Sequence, residues 1–259
     1  MNDRVADSAE REARRDLAAA LRSAERLGLS EGVCNHFSLA LPGQRARFLV
    51  NPQGLHWSEV TPADLVVVDG AGRHVAGART VEPTAFFIHG CIHQANPRAQ
   101  CVLHTHMPYA TALTIVEDGK LAWASQNALR FHGRVAYDDV YNGLALDPGE
   151  GERIASKLRD ADVLFLANHG VIVCGPSVAY AFDDLYYLER ACMLQVFAGA
   201  TGRPLKLVPD AIAAQTRAQM DAERGQSDLH LAALKRLLDR DQPGWASGGT
   251  TVSAPSSEN

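Results

Sequence analysis

The chain has 259 residues, 46% hydrophobic and 21% charged, the balance of a globular protein rather than a disordered one. Its 25 Lys and Arg against 30 Asp and Glu give a formal charge of -5, which excludes the basic footprint of a general nucleic-acid binder. No apolar run approaches the roughly 18–20 residues that span a bilayer, so no membrane partner is expected. The charged start MNDRVADSAEREARR is unlike a signal peptide, and a cytoplasmic location is expected. The cysteines Cys34, Cys91, Cys101, Cys174 and Cys192 form no CxxC pair and are expected to be reduced and mostly buried.

In chain order, residues 1–9 are polar and expected to fray. Residues 11–28 place Ala13, Leu17, Ala20, Leu21 and Ala24 on one helical face, with Gly28 as a C-cap. Residues 37–41 and 48–50 alternate like paired strands around Pro42-Gly43, and 65–68 reads as a strand ending at Asp69-Gly70. Pro83 suits the first turn of a helix that Pro97 stops. A strand follows over 101–106, then a helix over 151–159. Two buried strands, 163–167 and 171–174, flank Asn168-His169-Gly170. A long helix over 177–198 carries Leu185, Leu188, Cys192 and Val196 at helical spacing, and two more helices are expected over 209–224 and 227–240. The pattern predicts an α/β fold with a largely antiparallel central sheet covered by helices. No repeat or linker divides it, so one domain is expected over 10–243, followed by a disordered Gly/Ser/Thr tail over 244–259.

The chemistry-bearing residues begin with CVLHTHMPYA. In a strand, His104 and His106 share one face about 6–7 Å apart, close enough to converge on one cation. Alone, the pair is a weak signal that reads more readily as two unrelated polar residues at a strand end. His169, in the turn of FLANHGVIVCG, sits where two buried strands bend and would supply a third imidazole at the rim of the sheet. Three imidazoles leave coordination positions open, the mark of a catalytic metal site, and the set accepts Zn²⁺, Mn²⁺, Co²⁺ or Fe²⁺. Glu82 precedes Pro83 at a helix start. It reads either as an acid favoured by the helix dipole or as a proton carrier beside the metal. His89 and His93 share a helix face, but HGCIH lacks the glutamate of a metalloprotease motif and reads as a core or site-edge pair. His36, His56, His74, His132 and His230 are isolated and receive no chemical role. The turns Gly32-Val33-Cys34-Asn35 and Asn51-Pro52-Gln53-Gly54 read either as strand connections or as backbone cradles for a substrate oxygen. Neither is a nucleotide-binding loop.

Taken together, EGVCNHFSLAL, FLVNPQGLHWSEVTPADL, EPTAFFIHGCIH, CVLHTHMPYATAL, ANHGVIVCG and AFDDLYYLERACMLQV resemble the class II aldolase/adducin family over about residues 11–200. In detail the segments look closer to adducin-like bacterial members than to the sugar-phosphate enzymes. The resemblance implies an α/β/α three-layer sandwich around a mainly antiparallel sheet. It implies a divalent metal, usually Zn²⁺, held by His104, His106 and His169, with Glu82 as acid/base. It also implies substrate contacts from Asn35, Gln53 and Gly54, and a cyclic homotetramer with sites at subunit interfaces.

Departures from the family pattern matter. Thr80 and Val81 stand where aldolase members carry a serine pair for the substrate phosphate, and Gln53 replaces a threonine, which points to an unphosphorylated small-molecule substrate. The proton-donating tyrosine of the fuculose enzyme is absent from the tail; Tyr109, Tyr137 and Tyr141 are the candidates to replace it. The expected function is a metal-dependent carbon–carbon lyase, by aldol cleavage or decarboxylation through a metal-stabilised enediolate. The alternatives are a three-histidine Fe(II) oxygenase and a non-catalytic adducin-like interaction module.

Overall fold

The computed structural model describes residues 2–70 and 72–247. Helix α1 (Asn2–Arg26) buries Leu17, Leu21 and Ala24 on one face, as the heptad-like spacing predicts. Residues 2–9, expected to fray, instead continue this helix back to Asn2.

Strands β1 (His36–Leu41) and β2 (Gln44–Val50) form a hairpin at Pro42-Gly43, where Gly43 takes φ 72°, a conformation side chains resist. β3 (Val66–Asp69) and β4 (His74–Ala76) extend that side of the sheet. Helix α2 (Pro83–Ala95) starts on Pro83 and ends before Pro97, as its two prolines dictate. Next come β5 (Cys101–Thr105), α3 (Pro108–Thr114), α4 (Gln126–Leu129), β6 (Val135–Asp138) and α5 (Pro148–Leu158). Strands β7 (Val163–Leu166) and β8 (Gly170–Gly175) precede α6 (Val178–Gly199), α7 (Asp210–Ala222) and α8 (Gln226–Asp241). The sequence pattern did not show β4, β6, α3 or α4: each is seven residues or fewer, too short for a period to register.

The eight strands lie in the order β4-β3-β2-β1-β5-β8-β7-β6, antiparallel throughout except for the parallel pair β6–β7. Alternation along the strands sorts the core into two layers. Phe37, Leu103, Phe165 and Val173 face α1, α3, α6 and α8. Val102, Leu164 and Ile172 face Ile88 and Ile92 of α2 and Ile154 and Leu158 of α5. The expected α/β/α sandwich is therefore the observed one.

Helix α6 is pinned by buried charge. Asp184 accepts hydrogen bonds from Arg134 at 2.7 Å and from Arg224 at 2.6 Å, and Arg130 reaches Asp183 at 2.6 Å. Asp183 also accepts from Ser227 and from His230, both at 2.8 Å, so His230 has a structural partner.

The expected tail requires correction at its start. Trp245 is only 3% exposed, packs in the main core, and donates from Nε1 to Asp239 at 2.8 Å. A large indole with a partner for its N–H belongs to the packed domain. Residues 248–259 of that tail lie outside the described residues. No helix among the described residues is long and apolar enough to cross a membrane. Of the cysteines, Cys101, Cys174 and Cys192 are buried, Cys91 is half-buried and Cys34 is exposed.

Candidate metal centre

His104 lies on β5 and faces the α2 layer, because Val102, two residues before it, does. His106 follows at the strand end. The β7–β8 turn swings His169 against both: Leu166 pairs with Gly170, and Val171 pairs with Thr105. Asn168 takes φ 56° in this turn, one of the few left-handed non-glycine residues, and asparagine tolerates it. Gly170 is required for a different reason. A Cβ there would sit 2.6 Å from the Thr105 carbonyl oxygen and 2.9 Å from His106 Cδ2. The turn can approach the His106 segment this closely only with no side chain.

The three rings lie 4.8–5.1 Å apart between centroids, and one ligand atom of each lies within 4.8 Å of the others. His104 donates from Nδ1 to the Val171 carbonyl at 3.0 Å, which fixes its tautomer and leaves Nε2 as a lone-pair donor. His106 donates from Nδ1 to Glu31 at 2.5 Å, and its Nε2 is buried with no protein partner. A buried, unpartnered imidazole nitrogen is unfavourable unless a ligand completes it. Burial, then the neighbouring histidines, push His104 well below the ordinary imidazole pKa; burial and then His106 hold His169 at about 4. Neutral imidazoles are the form that binds metal. The donor set therefore fits a divalent cation.

Glu82 is the N-cap residue of α2, yet its side chain makes no capping bond. Its Oε1 instead accepts from Thr84 Oγ1 at 2.7 Å, and its Oε2 lies 3.5 Å from His36 Nε2. His36 is paired with His104 across β1–β5, and their rings are 4.9 Å apart. The isolated histidine of the sequence reading thus stands between the triad and the carboxylate. Its position depends on strand pairing, which no local pattern reveals. The same holds for Glu31, whose side chain meets His106 across 75 residues of chain.

The other expected contacts separate. Asn35 takes φ 73° and accepts from the His106 backbone N–H at 3.3 Å, while its buried Nδ2 has no partner. That amide donor stands at the triad's edge with no protein acceptor. Gln53 and Gly54 are exposed, and the Gln53 N–H ties their turn to Thr80 O at 2.9 Å, two residues before Glu82. Their side of the site is reached through that segment and not through the triad. Of the tyrosine candidates, Tyr137 accepts from the Leu121 N–H and burial pushes it up to about 12, and Tyr109 packs on Phe197. Tyr141 has its ring 6.4 Å from that of His169.

Fold and site together define a class: an α/β/α protein presenting three imidazoles and a nearby carboxylate at one end of its sheet. The chain belongs to the family described as Class II Aldolase and Adducin N-terminal domain, which matches residues 15–196. Members of the aldolase branch depend on a divalent metal. The chain is 34% identical over 228 residues to decarboxylase NovR of Streptomyces niveus, covering 86% of this chain and 84% of the relative. It is also 34% identical to the 4-hydroxy-3-prenylphenylpyruvate oxygenase/4-hydroxy-3-prenylbenzoate synthase of Streptomyces roseochromogenus, covering 86% and 82%. An aldolase II superfamily protein from Pseudomonas syringae superposes with a TM-score of 0.85 at 36% identity, covering 92% of this chain and 96% of that one. The L-fuculose 1-phosphate aldolase of Glaciozyma antarctica gives 0.82 at 26% identity, covering 93% and 94%.

Proposed function

We propose that this protein is a divalent-metal-dependent carbon–carbon lyase acting on a small, unphosphorylated hydroxy-carbonyl or hydroxy-acid compound, by aldol cleavage or decarboxylation. The observation that carries this reading is the triad of imidazoles, one with a buried orphan nitrogen, connected to Glu82 through His36. His104, His106 and His169 would hold the cation, Zn²⁺ by preference, with Mn²⁺, Co²⁺ or Fe²⁺ accepted by the same donors. Bound there, it supplies Lewis-acid stabilisation of the negative charge left on oxygen when the carbon–carbon bond breaks.

The chain's own residues do the rest. Asn35 Nδ2 donates to a substrate oxygen. Glu82 takes a proton from the substrate and returns one to the carbon left after cleavage. A cavity of about 570 Å³ beside Glu82 is lined by Val81, Phe86 and Phe87, and Arg79, which also lines it, is paired with Asp64 at 3.6 Å. None of the three histidines lines this cavity; it would take the part of an unphosphorylated substrate that extends past Glu82. The decarboxylase among the relatives supports loss of CO₂ as one form of the reaction. The same reading takes the protein as a cytoplasmic homotetramer.

A second reading, Fe(II)-dependent oxygenation at the same histidines, is favoured by the relative named as an oxygenase. Metal analysis of protein purified without added metal, followed by turnover on hydroxy-carbonyl and keto-acid compounds, separates the two. Zinc or manganese with aldehyde or CO₂ release is expected. Iron with O₂ uptake supports the second reading. Protein that holds no metal and turns over nothing overturns both. Glu82→Gln should keep the metal and lower turnover about 10²–10⁴-fold; unchanged turnover removes Glu82 from the reaction.

A further inference from the structure

We propose that His36 is a positioning residue for Glu82, held in a single tautomer by a one-way hydrogen-bond chain through His89, Ser38 and His93 that ends on the Ala99 carbonyl. The inference rests on the reading of Glu82 as the proton carrier.

The chain runs between β1 and α2. His36 and Ser38, two apart on a strand, share a face; His89 and His93, four apart on a helix, share another. Its direction follows from its end. A carbonyl only accepts, so His93 donates from Nδ1 to Ala99 O at 2.8 Å. Burial keeps His93 neutral, so its Nε2 accepts the Ser38 hydroxyl hydrogen at 2.7 Å. With that hydrogen committed, Ser38 Oγ accepts from His89 Nδ1 at 2.5 Å. His89 Nε2 is then an acceptor and takes the Nδ1 hydrogen of His36 at 2.9 Å. His36 is left with a bare Nε2, which faces Thr84 Oγ1 at 3.2 Å and Glu82 Oε2 at 3.5 Å.

That lone pair decides how the carboxyl sits. Thr84 has one hydrogen and donates it to Glu82 Oε1 when Glu82 is ionised. Once Glu82 has taken a proton, its O–H has an acceptor waiting on His36. The opposite tautomer would present an N–H to the carboxylate and would offer the protonated form nothing. His36, Ser38 and His89 are at most 3% exposed. Buried polar groups at this depth are tolerated when each is satisfied; every ring nitrogen of the three histidines except His36 Nε2 has a hydrogen-bond partner here, and His36 Nε2 gains one when Glu82 carries a proton.

The test uses the zinc-loaded full-length protein with ¹⁵N-labelled histidine, assigned by single His→Gln variants. His36, His89 and His93 should each show a protonated-type shift at Nδ1 and an unprotonated-type shift at Nε2. A protonated Nε2 on His36 or His89 overturns the proposal. His93→Leu removes the acceptor for Ser38, freeing its hydrogen to turn toward His89 and reverse the chain; His36 should become protonated at Nε2. His93→Gln, with a donor for Ala99 and an acceptor for Ser38, should keep the original order. On a compound the wild type turns over, His93→Leu should lower kcat about 10–100-fold with KM unchanged, and His93→Gln should recover most of it. A reversed tautomer with unchanged kcat overturns the proposal. If His93→Leu does not fold, the wild-type spectrum decides. Failure of the wild type to bind metal or turn over any compound sinks the lyase reading instead, and the tautomers remain readable.

Discussion

His106 gives its Nδ1 hydrogen to the Glu31 carboxylate at 2.5 Å, and its opposite nitrogen is buried without a partner. The two facts are connected. A carboxylate behind an imidazole fixes the tautomer, aims the far lone pair and raises its basicity. Glu31 approaches from the turn before β1, so the segment between α1 and β1 supports the metal centre without supplying a ligand.

Glu31→Ala should weaken divalent-metal affinity about 10–100-fold. The fold should be untouched, because the Glu31 side chain is 62% exposed. Competition against a chelator of known affinity reads the change, and an unaltered dissociation constant would remove Glu31 from the site.

His104→Ala should strip most of the bound metal while far-UV circular dichroism keeps its wild-type shape. The ligand is lost, but β5 remains paired on both sides to β1 and β8. Elemental analysis is decisive: wild-type metal content in this variant breaks the assignment of the triad.

Gly170→Ala should cost about 1–3 kcal/mol of stability, the range for overpacking a tight site. The added carbon would overlap the Thr105 carbonyl, so either β5 or the His169 turn must move. Metal affinity should fall with it. A variant as stable and as tightly metalled as the wild type would show that the close approach is unnecessary.

Acid should destabilise the fold in two stages. Burial holds His93 at about 4, below its unfolded value of about 6.5. The unfolded chain therefore takes up a proton that the folded one refuses, and stability falls as pH drops from about 6.5 to about 4. For Asp183, burial pushes the carboxyl up, but His230, Arg130 and Ser227 outweigh it and hold it at about 2. Its contribution is intact above about pH 4 and is lost on descent toward 2. Urea midpoints measured at pH 7, 5 and 3 should decline stepwise; a flat series contradicts both assignments.

Much of the site was legible locally. Period-two alternation put His104 and His106 on one face, and Asn168-His169-Gly170 marked a bend between buried strands. Pro83 located Glu82 at a helix start. His36 and Glu31 were not legible, because each acquires its role from a partner more than 50 residues away. Trp245 was misread for a related reason. Its flanking Gly, Ser and Thr residues describe a tail, and only packing against α1 and α8 shows the ring to be core.

Periodicity alone determined that a largely antiparallel sheet is covered by helices, since alternation and helical spacing state which face of each element must leave water; the three-layer order came from the family resemblance. The sequence also determined the kinds of atoms available for chemistry. Only the tertiary structure decided which of ten histidines meet, which nitrogen of each is free, and which carboxylate stands behind them. Those outcomes depend on strand register and on hydrogen-bond direction, and both are set by contacts between segments distant along the chain.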